Sequence, residues 1–420
     1  MAKRKHVIVG SGTAAVAALR QLRSAGCDDE VLVMTMERHA PYSPMSLPYV
    51  LLGRMAASDI RMVPDEFFNL MDAVFAPERK VVAIEPESKS LTCGDGGQER
   101  YDRLLIATGS DPIVPPVLEE AGAMGFHVMD DYLALAKQLT ERRRVAIVGA
   151  GLVAMELACA LATKGHEVTV VAPRERILRS YFDPEAGARI IGLFAASGVR
   201  VHLNWGEAEK AERRNDATWV RFATGSTIEA DVLLACLGVK PRIDFLRASG
   251  IKVGEGIIVD RAMRTNIPGV FAAGDVAEAY DASSGHNRVT PILPAAAAQG
   301  KVAGDNMADK TREYDGSLPM NAFNFFDHLA VSVGRVAASG SDDVLSAKQN
   351  GSYARLVFSG ETLAGASFLD VDVEAGVIQY LIRKKVPIGP YRETLLRTPR
   401  EAGFWLMSEA EKGQTASREE

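Results

Sequence analysis

The pattern of apolar and polar positions along the chain runs through one cycle and then repeats it. Val7-Ile8-Val9 is a short, unbroken apolar run of the kind found in a strand buried on both faces, and the turn Gly10-Ser-Gly-Thr-Ala-Ala15 follows it. Apolar positions then recur with helical spacing to about Ala25. The β-branched run VLVMTME, ending at Glu37, predicts a second strand. The same order returns as Arg144-Val-Ala-Ile-Val148, the turn Gly149-Ala-Gly-Leu-Val-Ala154, a helix through Thr163 and a strand HEVTVVA ending at Ala172. Each cycle is a βαβ unit, which requires parallel strands. Gly10 and Gly149 are 139 residues apart, too far for a solenoid repeat and suited to two separate nucleotide-binding domains.

Three further segments read as strands running into glycine turns: Tyr101 to Gly109, its counterpart Ala230 to Gly238, and Thr265 through Gly274 to Asp275. A helix is predicted to begin in Pro291-Ile-Leu-Pro-Ala-Ala296. From about Ser317 the character changes. YARLVF and TLAGASFLDV predict antiparallel strands and VIQYLIRKK a helix, while residues 407–420 are polar, lack a burying face and are expected to be disordered. The expected fold is α/β, with two Rossmann-like domains and an α+β C-terminal interface domain. The first domain comprises residues 1–125 and 250–317, the second 126–249, and the third 318–406.

Composition narrows the function without identifying it. The 420 residues carry 48 basic and 54 acidic side chains, a net charge of −6 that argues against a nucleic-acid-binding stripe. No apolar run reaches the roughly 18 residues of a membrane span. Lys3-Arg4-Lys5 followed by VIVGSGTAAVAAL imitates a signal peptide, but Gly10 and Gly12 break the run and Arg20 and Arg23 follow it, as a strand, turn and amphipathic helix require. Four dispersed cysteines with no CxxC exclude a disulfide framework, a structural zinc site and a cluster of the chain's own, and fit a reducing cytoplasm.

The glycine turns carry the chemistry. Gly10 permits the tight turn, Gly12 lets the backbone approach a pyrophosphate, Ala15 allows close helix–strand packing, and the helix start holds the anion. Gly149 and Gly151 repeat the device. Glu37, 27 positions past Gly10 and followed by Arg38, can accept hydrogen bonds from an adenosine ribose. The second unit lacks that carboxylate. Its strand ends at Ala172, followed by Pro173-Arg-Glu-Arg-Ile-Leu-Arg179. Arg174, Arg176 and Arg179 could hold the 2′-phosphate of NADP; equally, Arg174 or Arg176 could stack on the adenine of NAD while Arg179 caps the next helix.

The ordered set GSGTAA, Ala107-Thr108-Gly109, GAGLVAME and TNIPGVFAAGDV, spread over about residues 5–400, resembles the pyridine nucleotide-disulfide oxidoreductase-like flavoproteins. That resemblance implies FAD on the first turn and a nicotinamide dinucleotide on the second. It places the FAD pyrophosphate at Gly10 and Gly12, the ribose at Glu37, the adenine beside Val81 and the flavin chain near Thr108-Gly109. It gives Asp275 a ribitol hydroxyl and aims the helix start Pro294-Ala295-Ala296 at the flavin N1–C2=O edge. It puts Glu156, the candidate catalytic residue, near the nicotinamide and flavin rings; the alternative is a helix-surface carboxylate.

One departure from the pattern decides the chemistry. Thiol-using members carry a nucleophilic cysteine beside the flavin at the start of a helix, in a pattern C-G-L-P-Y; here the segment reads Met45-Ser46-Leu47-Pro48-Tyr49. A thioether cannot attack a disulfide or become a sulfenic acid, and Cys27 and Cys159 read as small buried side chains on the two glycine-turn helices. The histidines, among them His39, His166 and His202, are scattered. Electrons must then leave for an external centre, which predicts an iron–sulfur partner. The opening MAKRKHVIVGSGTAAVAALRQ with PYSPMSLPY resembles the flavin subunits of acylating 2-oxoacid (phenylglyoxylate) dehydrogenases. This implies NAD as coenzyme, an electron-output role in forming an acyl-CoA, and thiamine-diphosphate and iron–sulfur subunits as partners. The rivals are a free-standing ferredoxin or rubredoxin reductase and a structural or regulatory flavoprotein. Arg383-Lys384-Lys385, Arg392, Arg397 and Arg400 read as a docking face for an acidic partner or as a solvated surface, and Phe323, Phe325, Phe326, Phe404 and Trp405 as core.

Overall fold

A computed structural model describes residues 3–349 and 351–419, with side chains through Lys412. By packing, the chain separates into two units, Met1–Asp111 with His127–Met129 and Val239–Ser317, and Pro112–Phe126 with Asp130–Gly238 and Leu318–Glu420.

The first unit is built on a parallel sheet. Its strand order is Val270–Ala272, Arg103–Ile106, Lys5–Val9, Glu30–Met34, Ala73–Ala76, so the apolar run of the first glycine turn is central and paired on both sides. The helix Thr13–Ser24 follows the turn and lies against the helix Leu293–Met307. Small residues make that approach possible: a Cβ on Gly300 would come within 2.2 Å of the Ala14 carbonyl oxygen. An antiparallel sheet of Val81–Glu85, Ser90–Cys93 and Gln98–Arg100 and a hairpin of Ala277–Tyr280 with Asn287–Val289 complete the unit. Neither was read from the pattern.

The second unit repeats the plan with four parallel strands in the order Arg200–His202, Glu167–Val171, Arg144–Val148, Val232–Ala235. The helix Leu152–Thr163 follows its glycine turn, and the helix Pro184–Ala196 is capped by Asp183, whose carboxylate accepts from the Ala186 N–H at 3.1 Å. An antiparallel meander, Ala208–Arg214, Ala217–Phe222 and Thr227–Ala230, packs Val220 and Phe222 against Ala146, Val148 and Val171 of the parallel sheet.

Residues 318 onward form a five-stranded antiparallel sheet in the order Met320–Phe325, His328–Gly334, Thr362–Leu369, Ser352–Ser359, Asp343–Gln349, with the helix Ala375–Arg383 after it. This sheet joins the nucleotide-binding half of its own unit through aromatic contacts, Phe325 stacking on Phe194 at 5.2 Å and Phe323 meeting Phe182 edge-on at 6.2 Å. The Tyr353 hydroxyl donates to Asp183 at 2.6 Å. Phe323 and Phe325 are core as expected, whereas Phe404 and Trp405 stand about half exposed.

Two expectations are corrected. The strands of the glycine-turn units end at Met34 and Val171, short of Glu37 and Ala172. The stretch from 407 that was expected to be disordered continues the helix Pro399–Glu419, because Ala402 and Leu406 bury one stripe against the C-terminal core; the part of that expectation on 413–420 lies outside the residues whose side chains are described. Among the described residues no helix is long and apolar enough to cross a membrane. The fold is α/β with two Rossmann-like sheets and an α+β C-terminal part.

Candidate dinucleotide sites

The two glycine turns are near copies in geometry. The Gly10 N–H donates to the Met34 carbonyl at 2.7 Å and the Gly149 N–H to that of Val171 at 2.9 Å. Their φ angles are +115° and +119°, a region that favours glycine. A Cβ on Gly10 would sit 2.0 Å from the Ala107 carbonyl oxygen, and one on Gly149 would sit 2.1 Å from that of Cys236. In both units, then, the neighbouring strand's carbonyl excludes any side chain at the turn.

The residue two positions on behaves differently. A Cβ on Gly12 or Gly151 would meet nothing within 4 Å. Each begins a helix with no side-chain cap and no acidic residue in the first turn. The orphan N–H groups and the positive helix end therefore face open space, which is what a pyrophosphate requires. Ala15 is buried. The chain's own atoms leave a cradle of the right chemistry for a dinucleotide in each unit.

Around the first turn the structure gathers several of the expected residues. Arg242 clamps the loop after Ala107. Its guanidinium donates to the Thr108 carbonyl at 2.9 Å and the Ser110 carbonyl at 3.2 Å, and pairs with Asp111 at 2.5 Å. Its backbone N–H donates to the Gly109 carbonyl at 3.0 Å, and its own carbonyl accepts from the Thr108 hydroxyl at 3.1 Å. The Ser110 hydroxyl donates to Asp275 at 2.9 Å, and burial pushes the Asp275 carboxyl above the usual carboxylate range. The Gly274 N–H donates to the Gln299 side chain at 2.8 Å, and Ala295 is buried in the first turn of the helix Leu293–Met307.

Glu37 accepts from the Tyr42 hydroxyl at 2.6 Å, and that hydroxyl accepts from the Met129 N–H at 2.8 Å. Arg38 is exposed and Val81 buried. Met45 is 58% exposed in the short turn Pro44–Ser46 that leads into the helix Leu47–Leu52. Arg242, Ser110, Tyr42 and Gln299 were missed from sequence. Arg242 directly follows the strand Val239–Pro241, and nothing in the local sequence marks its role.

In the second unit, Ala172 is buried, its N–H donating to the His202 carbonyl at 2.7 Å. The Leu178 N–H donates to the Ala150 carbonyl at 2.8 Å, drawing residues 173–180 back to the glycine turn. Arg174 is exposed and forms no ion pair among the described residues, whereas Arg176 approaches Glu175 at 3.6 Å. Gly238 has a positive φ and its carbonyl accepts from the Ile113 N–H at 2.9 Å. Burial pushes the Glu156 carboxyl up to about 7, and burial together with the Glu156 charge raises the Tyr181 phenol.

All four cysteines are free. Cys27 donates to Asp29 at 3.4 Å and lies 3.8 Å from His6, and burial raises its thiol; Cys236 is pushed up to about 12 by burial. His6, Cys27 and Asp29 form a cluster unseen in the sequence, but Arg4 pairs with Asp29 at 2.9 Å and balances its charge without an ion.

Residues 4–300 match the family described as pyridine nucleotide-disulphide oxidoreductase. Over 413 residues, 96% of this chain and 97% of the relative, 32% of positions are identical to the NADH-dependent phenylglyoxylate dehydrogenase subunit epsilon of Aromatoleum evansii. The fold superposes on the NADH-bound water-forming NADH oxidase of Lactobacillus brevis with a TM-score of 0.87 at 23% identity, covering 99% of this chain and 100% of that one. It superposes on the covalent putidaredoxin reductase–putidaredoxin complex with a TM-score of 0.84 at 21% identity, covering 92% and 94%. The family's extent over most of the chain and a relative matched almost end to end agree with the paired glycine turns: this chain belongs to the pyridine nucleotide-disulphide oxidoreductase family and is an FAD- and NAD(P)-binding oxidoreductase.

Proposed function

We propose that the chain passes electrons between NAD and an iron–sulfur partner without a redox-active cysteine, as the electron-output flavin subunit of an acylating 2-oxoacid dehydrogenase complex in the cytoplasm. The observation that carries the reading is Met45, which stands at the helix start where thiol-using relatives place their cysteine. The near full-length likeness to a phenylglyoxylate dehydrogenase subunit supports the choice of complex; a 2-oxoacid-oxidising thiamine-diphosphate subunit upstream is part of the same proposal.

The chain's own residues bind and orient. The helix starts after Gly12 and Gly151 hold the two pyrophosphates, Glu37 takes the adenosine ribose, and Val81 borders the adenine. Arg242 fixes Thr108-Gly109, and Asp275 holds a ribitol hydroxyl. Glu156, with its carboxyl near 7, holds or releases a proton around neutral pH on the nicotinamide side. Bound FAD supplies two-electron exchange with nicotinamide and single-electron exchange with the partner.

Anaerobic stopped-flow mixing with NADH tests the enzyme reading: the flavin band should bleach at millimolar NADH, and negligible bleaching removes it. Native purification tests the complex. Co-elution with subunits carrying iron and thiamine diphosphate is expected; a lone homodimer that reduces a diffusing ferredoxin would favour a free-standing reductase instead.

A further inference from the structure

The parallel sheet of the second unit carries an anomaly on the face that packs against the meander. The register places Arg144, Ala146 and Val148, then Glu167, Thr169 and Val171, then Arg200 and His202, on that one face. At the glycine-turn end Val148 and Val171 are buried with Val220 and Phe222, and His202, level with them on the edge strand, is half-buried. At the opposite end, where core chemistry would call for the same, they are charged or polar. A solvent-open cavity of about 210 Å³ lies along this face, bordered on the other side by Trp205 and the strand Thr227–Ala230.

The charges around it are not all spent. Arg144 is held by Asp231 at 2.6 Å and Glu229 at 3.1 Å, and Glu167 by Arg142 at 2.9 Å. Arg200 donates only its Nε, to the Thr169 hydroxyl at 3.1 Å, and has no carboxylate partner among the described residues. One guanidinium fork is thus left over beside an aromatic wall, Trp205 stacked on His202 at 4.4 Å. Burial and the Arg200 charge hold the His202 imidazole below its usual range, so it adds no second cation at neutral pH.

From this geometry we infer that the cavity, which runs along this face from Arg144 to His202, is a binding site for a single-ring carboxylate anion of the benzoate type, lined by residues other than those of the glycine turn. The guanidinium fork matches a carboxylate in bidentate fashion. Trp205 and Ile228 supply the apolar walls for a ring. The volume falls below the roughly 300–1,000 Å³ of pockets that enclose larger ligands, and suits a single ring.

Calorimetric titration of the full-length holoenzyme with benzoate should show one saturable site with millimolar or tighter affinity. Arg200→Gln should weaken it at least tenfold, with Arg200→Lys between the two, and Ile228→Trp should abolish it by filling the space. FAD content and melting temperature report that each variant is folded, and Arg200 is exposed enough for its substitution to leave the core intact. The inference is overturned if benzoate shows no saturable binding, or if inorganic phosphate binds as tightly. It also fails if the binding survives Arg200→Gln but is displaced by saturating NAD.

Discussion

Gly10 and Gly12 lie two residues apart in one turn, and the structure assigns them opposite kinds of failure. An alanine at Gly10 would need a φ near +115° and a Cβ 2.0 Å from the Ala107 carbonyl oxygen. Backbone strain of that kind costs about 1–3 kcal/mol, and forcing a methyl into packed backbone about 1–3 more. The total, about 2–6 kcal/mol, is a large part of the roughly 5–15 kcal/mol that holds a domain folded. Gly12 has φ −75° and ψ −170°, ordinary for any residue, and open space beyond it. Its replacement by alanine costs about 0.5–1 kcal/mol at the helix cap, offset by about 0.4–1 kcal/mol from a less flexible unfolded chain.

On the proposed function, however, the Gly12→Ala methyl enters the space of the FAD pyrophosphate. Loss of two charge-assisted N–H bonds at about 1.5–3 kcal/mol each corresponds to roughly a 10²–10⁴-fold weaker FAD complex. Thermal melting by circular dichroism and FAD titration of the apoprotein separate the two effects. Gly10→Ala should melt lower by several degrees even as apoprotein, and Gly12→Ala should melt with the wild-type apoprotein yet purify colourless. Stoichiometric flavin of unchanged affinity in Gly12→Ala would refute the assignment of that space. Gly151→Ala should retain flavin and lose reduction by NADH.

Glu156→Gln should alter the pH dependence of stability. The folded carboxyl titrates near 7 against an ordinary value of 4.5, so the folded state binds the extra proton and wild-type stability falls as pH rises through that window. Urea unfolding at pH 5 and pH 8 should show wild type losing on the order of 2 kcal/mol relative to the glutamine variant; parallel profiles would place the carboxyl in solvent. Arg242→Gln removes the clamp on Thr108 and Ser110 and should raise the FAD dissociation constant at least tenfold while leaving NADH binding to the isolated apoprotein unchanged. Arg174→Gln tests the coenzyme with less risk to the fold than a substitution at the buried Ala172. The KM for NADH should change less than threefold, whereas a wild-type preference for NADPH that collapses in the variant would establish NADP instead.

The elements whose partners are near in sequence were legible in it. The strand–turn–helix around Gly10 and around Gly149 could be read because each local choice, an apolar run, a glycine and a small residue, agrees with the parallel sheet it joins. The meander 208–230 was not. Its strands alternate Ala, Glu, Lys and Arg on the exposed side and bury only a few positions, so the period-2 signal is thin. Phe404 and Trp405 misled for the opposite reason: composition marks them as core, but the helix Pro399–Glu419 turns Ala402 and Leu406 inward and leaves them out. Arg242 could not be found at all without coordinates, since its partners Thr108 and Asp111 lie more than 130 positions away and nothing local distinguishes it from a surface arginine.

The two turns keep one shape although the second unit has no carboxylate at the end of its strand. Between the copies the sequence differs at most positions, yet the turn's hydrogen bonds and the gap to the neighbouring carbonyl agree to about 0.2 Å. What is held constant is backbone against backbone: Gly10 under the Ala107 carbonyl and Gly149 under that of Cys236, each shape fixed by the absence of a side chain. The strand ends after the two turns differ. Glu37 lies three residues beyond Met34 and is half-buried, whereas Ala172 is buried and its backbone is still paired with His202 and Trp205, so the second site has a small side chain where the first has a carboxylate. On the proposed function, pyrophosphate binding is tied to the backbone of the turn, whereas ribose recognition rests on side chains that follow it, Glu37 in the first unit and the exposed Arg174 in the second. Met45 is set apart in the same way, in a short exposed turn outside both parallel sheets, so the side chain on which the proposed thiol-free route rests can be exchanged without touching either sheet.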